Sequence, residues 1–72
     1  MEKERKQRFD RVAERRTRNA IDCIRLIGNC ANKHNYSYTD KQVMKIIRAL
    51  KQEVHDLQNT FNANQTKDDF KL

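Results

Sequence analysis

Apolar side chains recur at alternating spacings of four and three residues along the second half of the chain. They are Val43, Ile47, Leu50, Val54, Leu57 and Phe61. Such a heptad repeat places its members along one seam of an α-helix, as in a coiled coil. The opposite face holds Lys41, Lys45, Arg48, Gln52, His55 and Asn59. We therefore predict a helix over about residues 40 to 61, and we call its apolar side the heptad seam.

The stretch "NYSYTDKQV" before this helix contains a start signal. Thr39 is a favourable N-cap residue, and Gln42 three positions later completes a capping box. Tyr38 directly precedes the cap, so we expect it to pack on Val43 as a hydrophobic staple. Two interpretations of Tyr36 stay open, since it can cover the end of the core or stand exposed as a contact residue.

The first half of the chain has its own apolar stripe. At about 100° per residue one side of a helix receives Phe9, Val12, Ala13, Ala20, Cys23, Ile24, Ile27, Cys30 and Ala31. We predict a helix over about residues 3 to 32. Ile21 and Leu26 widen this apolar stripe at its edges, so a single narrow helix would not cover it. The pattern therefore predicts a second contact.

The segment 33–38 between these helices is short, and short connections make antiparallel neighbours. We predict an all-α fold, a two-helix hairpin over residues 1–61. Arg16 lies inside the apolar stripe, so we expect it to pair with Asp56 or Glu53 across the hairpin. Two-helix hairpins usually pair into four-helix bundles, which predicts a homodimer.

Polar residues without periodicity follow the second helix. We predict that residues 62–72, "NANQTKDDFKL", are disordered. The alternative is a tail whose Asp68 and Asp69 fold back on the basic start of the first helix. As a further alternative, a segment of another protein covers the apolar stripe.

Size and composition limit the protein class. A chain of 72 residues forms one domain and buries a small core. It has no proline, no apolar run long enough to span a bilayer and no signal-peptide pattern, so we expect a cytoplasmic protein without a membrane contact. The single glycine, Gly28, indicates either a close backbone approach or a kink that unwinds the helix end.

Positive charge is concentrated in the first half. The net charge is +6, and residues 1–38 hold ten lysines and arginines against five acidic residues. On the first predicted helix, the side away from the apolar stripe carries five arginines, which we call the arginine face. They are Arg8, Arg11, Arg15, Arg18 and Arg25. Guanidinium groups at this spacing can grip a phosphate backbone of DNA or RNA. The competing interpretation is a solvated face partly neutralised by pairs such as Glu14 with Arg18.

The thiols and histidines suggest no metal site. Cys23 and Cys30 lie two helical turns apart, about 10 Å, too far for a disulfide within the chain. We expect them to be buried as small apolar groups, with an interchain bond as the alternative. Cys30 and His34 could supply half of a zinc site, but the paired ligand motifs that mark such sites do not occur.

Motifs for catalysis do not occur either. The sequence has no glycine-rich phosphate loop, nucleophile elbow or metalloprotease motif. A two-helix hairpin also offers little room for a substrate pocket. We therefore predict a non-enzymatic protein without a cofactor.

A family resemblance adds a biological context. The segment "RVAERRTRNAIDCIRLIGNCANKHNYSYTDKQVMKIIRAL" resembles short helical proteins encoded on plasmids and conjugative elements of Gram-positive bacteria, which share the Arg-rich start, the "IRLIGN" core and the "NYSYT" turn. The resemblance covers about residues 11 to 61 and brings no known activity. It implies an accessory role in maintenance, transfer or regulation of a mobile element, with DNA, RNA or another element-encoded protein as partner.

Two functional hypotheses follow from these features. The first is nucleic-acid binding through the arginine face. The second is a protein-interaction module whose apolar surface receives a partner helix. The residues expected at an oligomer or partner interface are Ile21, Cys23, Leu26, Cys30 and Tyr36.

Overall fold

The computed structural model describes residues 1–66, the side chains to residue 64, and this part of the chain contains helices and no strand. The first α-helix, α1, spans Glu2–Gly28 and is followed by a short 3₁₀-helix, Asn29–Ala31. The second, α2, spans Asp40–Thr66. The chain divides into two units between Ser37 and Tyr38, one holding α1 and the other α2. The all-α class is confirmed, whereas the hairpin and the four-helix bundle stay predictions.

Charges at both ends of α1 favour its formation. The first turn contains Glu2 and Glu4, and the last turn contains Arg25. Acidic groups near the N-terminus and basic groups near the C-terminus interact favourably with the helix dipole. The carbonyl of Met1 accepts the first helical hydrogen bond from the Arg5 amide at 3.0 Å. With no proline in the segment, nothing interrupts the helix across seven turns.

The hydrogen-bond pattern of the helix changes after Gly28. The α-helical pattern ends there, and the next three residues form the 3₁₀-helix. The kink at Gly28 stays a prediction. The glycine itself has right-handed helical angles, φ −58° and ψ −29°, and an added Cβ would meet no atom of the described residues within 4 Å. No close contact among those residues therefore requires glycine at this position.

Asn32 organises the connection between the helices. Its backbone is extended, with ψ 106°, which stops the helix. Its Oδ1 accepts a hydrogen bond from the His34 amide at 2.9 Å. Its carbonyl accepts bonds from the amides of Asn35 and Tyr36 at 3.2 and 3.0 Å. Asparagine side chains often bond the backbone two residues onward, which is the signal in the sequence for this role of Asn32.

The start of α2 confirms the predicted capping box. The Gln42 amide donates to Thr39 Oγ1 at 3.1 Å, and Gln42 Oε1 accepts from the Thr39 amide at 2.9 Å. Two amides that the helix cannot satisfy internally thus obtain partners. Tyr38 is half-buried, while Tyr36 is 52% exposed. The staple between Tyr38 and Val43 stays a prediction.

The far end of α2 corrects the predicted boundary. The helix continues to Thr66, so residues 62–66 of the predicted disordered tail are helical. The cause is local, because no glycine or proline occurs between Phe61 and Thr66, and Ala63 has high helix propensity. The remaining tail, and with it the fold-back of Asp68 and Asp69, lies outside the described residues.

Both helices expose their apolar sides. Among residues 1–64 no side chain is buried, and the half-buried ones are Val12, Ala13, Tyr38 and Leu50. Cys23 and Cys30 are free thiols and exposed, so their expected burial is not met within one chain. The reason is that each apolar stripe lies uncovered along the surface of its own helix.

Candidate nucleic-acid interface

The arginine face lies on one uninterrupted helix. Its five members, from Arg8 to Arg25, all fall within α1 and are all exposed. At 100° per residue they occupy an arc about 100° wide, opposite the apolar stripe. At 1.5 Å per residue the face is about 26 Å long. The positions predicted from spacing thus share a single solvent-facing surface.

Of the five acidic residues of α1, two pair with basic side chains outside the arginine face and one pairs with a member of it. Glu14 pairs with Arg18 at 2.7 Å, as the spacing predicts. The carboxylate of Asp10 pairs with Lys6 at 3.0 Å, outside the arginine face, and Glu2 pairs with Arg5. Only one guanidinium of the face is therefore matched by a carboxylate.

Four arginines of the face make no ion pair or hydrogen bond to another side chain within the described residues. They are Arg8, Arg11, Arg15 and Arg25. The same is true of Asp22, an acidic side chain within the face. Exposed ion pairs on a helix contribute only about 0.3–0.5 kcal/mol each, so even the Glu14 pair would yield to a phosphate. Each free guanidinium presents a planar fork of donors suited to phosphate oxygens.

The helix as a whole is strongly basic. Residues 2–28 contain nine lysines and arginines against five acidic residues. In α2 the corresponding counts are four and three for residues 40–66. Positive charge on the described part of the molecule is therefore mainly a property of α1, and polyanions should be attracted to that helix first.

The residues predicted at a partner interface are accessible but dispersed. Ile21 and Leu26 are 42% and 63% exposed and lie on opposite edges of the apolar stripe. The thiols of Cys23 and Cys30 lie on the stripe itself, two turns apart. Tyr36 belongs to the connection after the 3₁₀-helix. These side chains mark a broad surface rather than one pocket.

Residues 1–66 offer little else that carries chemistry. No group of three or more His, Cys, Asp or Glu side chains in this part could hold a metal ion. Neither described helix is long and apolar enough to cross a membrane. Comparison of the chain with protein families, characterised proteins and solved structures finds no significant match. Function must therefore be inferred from the geometry and charge of α1.

Proposed function

We propose that this protein is a non-enzymatic nucleic-acid-binding protein that grips a phosphate backbone with the arginine face of α1. The observation that carries the proposal is the set of four exposed arginines that form no ion pair with a carboxylate of the described residues. A solvated face would gain stability from pairing its charges. Here the carboxylates of Asp10 and Glu2 pair outside the face, which leaves its field available to a polyanion.

The cellular setting of the proposal comes from the sequence resemblance. The resemblance to proteins encoded on plasmids and conjugative elements implies DNA, RNA or another element-encoded protein as the partner. We infer an accessory or regulatory role in the cytoplasm. We therefore take DNA as the first polyanion to test.

Assembly is the second part of the proposal. The apolar sides of both helices are uncovered, with Ile24, Leu57 and Phe61 about half exposed. Burying apolar area contributes about 25 cal/mol per Å², and single helices are marginal in water. We propose that α2 folds back antiparallel to α1 and that a second copy covers the remaining stripe, giving a four-helix bundle. The arginine face lies opposite the stripe and would stay outside.

Salt dependence of binding tests the proposal. Each phosphate contact adds about 0.9 to the slope of log affinity against log salt for duplex DNA. Four free arginines predict a slope of about −3.6, which weakens binding on the order of 100-fold between about 50 and 200 mM salt. Fluorescence anisotropy of labelled DNA against the full chain measures this directly. A protein that binds no nucleic acid at about 50 mM salt would contradict the proposal.

Two matched variants test whether the arginine face of α1 causes the salt dependence of binding. Replacing Arg8, Arg11 and Arg15 with Gln should reduce the slope by about 2.7. The control replaces Lys41, Lys45 and Arg48 with Gln, which removes the same charge from the exposed face of α2. We expect the control to keep most of the slope. Equal losses in both triple variants would mean that net charge, rather than the arginine face, governs binding.

A protein partner is the second candidate function. Leu26 is 63% exposed beyond the edge of the stripe, and Ile21 extends the opposite edge, so a third helix has apolar surface to contact. The two functions separate on one variant. Leu26→Gln removes the apolar side chain without adding charge beside Arg25, so it should abolish capture of a protein partner while leaving salt-dependent DNA binding intact.

A further inference from the structure

We infer that the ligand of the arginine face is double-helical DNA, entered through its major groove, rather than single-stranded nucleic acid or an RNA duplex. This inference rests on the proposed function and makes it more specific. It depends on what α1 presents beside its arginines and on the dimensions of the helix.

Single strands are bound through stacking as well as charge. Proteins that hold them interleave basic residues with aromatic rings on which bases stack, at about 1–3 kcal/mol per base. The aromatic residues of the described chain are Phe9, Tyr36, Tyr38 and Phe61. Phe9 is the only one on α1, and it lies on the apolar stripe, about 160° from Arg11 on the wheel. The arginine face therefore has no stacking platform.

The remaining side chains of the face are polar or charged. Glu14 is held by Arg18, and Asp22 stands exposed further along. Arg8, Arg11 and Arg15 thus form the stretch with the least opposing charge, about 10 Å long at 1.5 Å per residue. One DNA strand carries a phosphate every 3.4 Å or so of the axis, so this stretch spans about three phosphates.

Dimensions favour the B-form major groove. An α-helix with its side chains is about 10–12 Å wide, and the major groove of B-DNA is about 12 Å wide. The face is about 26 Å long, shorter than one turn of the duplex at about 34 Å. The groove curves away from a straight helix over such a length, so contact is limited to part of the face, and the stretch of Arg8, Arg11 and Arg15, about 10 Å long, is short enough to stay inside it. The major groove of A-form RNA is too narrow and deep for side chains to read.

Three probes of the same length test the inference: a DNA duplex, an RNA duplex and single-stranded DNA, each titrated with the full chain at about 50 mM salt. We expect the DNA duplex to bind at least about 10-fold more tightly than either alternative. The RNA duplex controls for the number of phosphates, because a duplex with the same number of base pairs carries as many phosphates as the DNA and differs in groove shape. The triple Arg8, Arg11, Arg15→Gln variant should lose the preference.

The outcomes separate the inference from the proposal beneath it. Equal or tighter binding of single strands or of the RNA duplex would overturn the duplex-DNA inference and leave nucleic-acid binding standing. Absence of binding to all three probes would overturn both. Chemical footprinting adds a second readout, since guanine N7 lies in the major groove and adenine N3 in the minor groove. Protection of N7 supports the assignment, and protection confined to N3 contradicts it.

Discussion

Individual side chains decide where the two helices begin and end. Thr39 and Gln42 satisfy each other's backbone amides at the start of α2. Asn32 uses its side chain and its carbonyl to hold the connection after the 3₁₀-helix. These hydrogen bonds join residues two to four positions apart, so they form without any help from distant parts of the chain.

Replacing Thr39 with Ala tests the contribution of the capping box. The substitution removes the acceptor for the Gln42 amide, and we expect the free energy of unfolding to fall by about 1 kcal/mol. Urea unfolding followed by circular dichroism measures the change. Thr60→Ala is the matched control, because Thr60 bonds the carbonyl of Asp56 inside the same helix and alanine favours helix interiors. Equal stability of the two variants would show that the capping box does not stabilise the protein.

α1 is a strongly basic helix that ends four residues before its predicted end. Its arginine face and its apolar stripe occupy opposite sides of 27 residues, so one element can contact a polyanion and a protein at once. The transition at Gly28 shortens the regular part of this helix by comparison with the predicted end at residue 32. The three residues that follow continue it only as a tighter 3₁₀-helix.

Gly28→Ala distinguishes the two roles of this glycine. The backbone is helical and no atom in the described part of the chain lies within 4 Å of an added Cβ, so we expect stabilisation by about 1 kcal/mol. Ala20→Gly, in the middle of the same helix, should have the opposite effect of similar size. Thermal unfolding measures both variants. Destabilisation by Gly28→Ala would instead indicate that a second chain packs its backbone against Gly28.

Both helices of the described part of the molecule expose apolar side chains along one side. No side chain in residues 1–64 is buried, and isolated helices gain most of their stability from packing an apolar face. Dimerisation through the apolar stripe and the heptad seam is the arrangement that we propose. It would also place two arginine faces on one particle, which raises the number of phosphate contacts available.

The mass of the protein in solution tests the proposed assembly. One chain has a mass of 8.7 kDa, and sedimentation equilibrium should give about twice that value if the bundle forms. Leu57→Asp places a charge on the heptad seam, and we expect it to dissociate the dimer and reduce helicity. Asn59→Asp adds the same charge two residues away on the polar side of α2 and should leave the dimer intact. A monomeric parent protein with full helicity would refute the assembly.

Local patterns in the sequence determined the helical class, the capping box, the Glu14–Arg18 pair and the positions of the arginine face. Each depends on neighbours within about one turn of helix, where spacing alone fixes which groups meet. Three local features were not predicted and were found only in the structure: the 3₁₀ tightening after Gly28, the bonds of Asn32 and the extension of α2 to Thr66. Helix ends compete among α-helical, 3₁₀ and side-chain hydrogen bonds of similar energy. Only the three-dimensional structure decided which carboxylates were occupied and which guanidinium groups were left open, because each charged side chain has several partners within reach and its conformation selects among them.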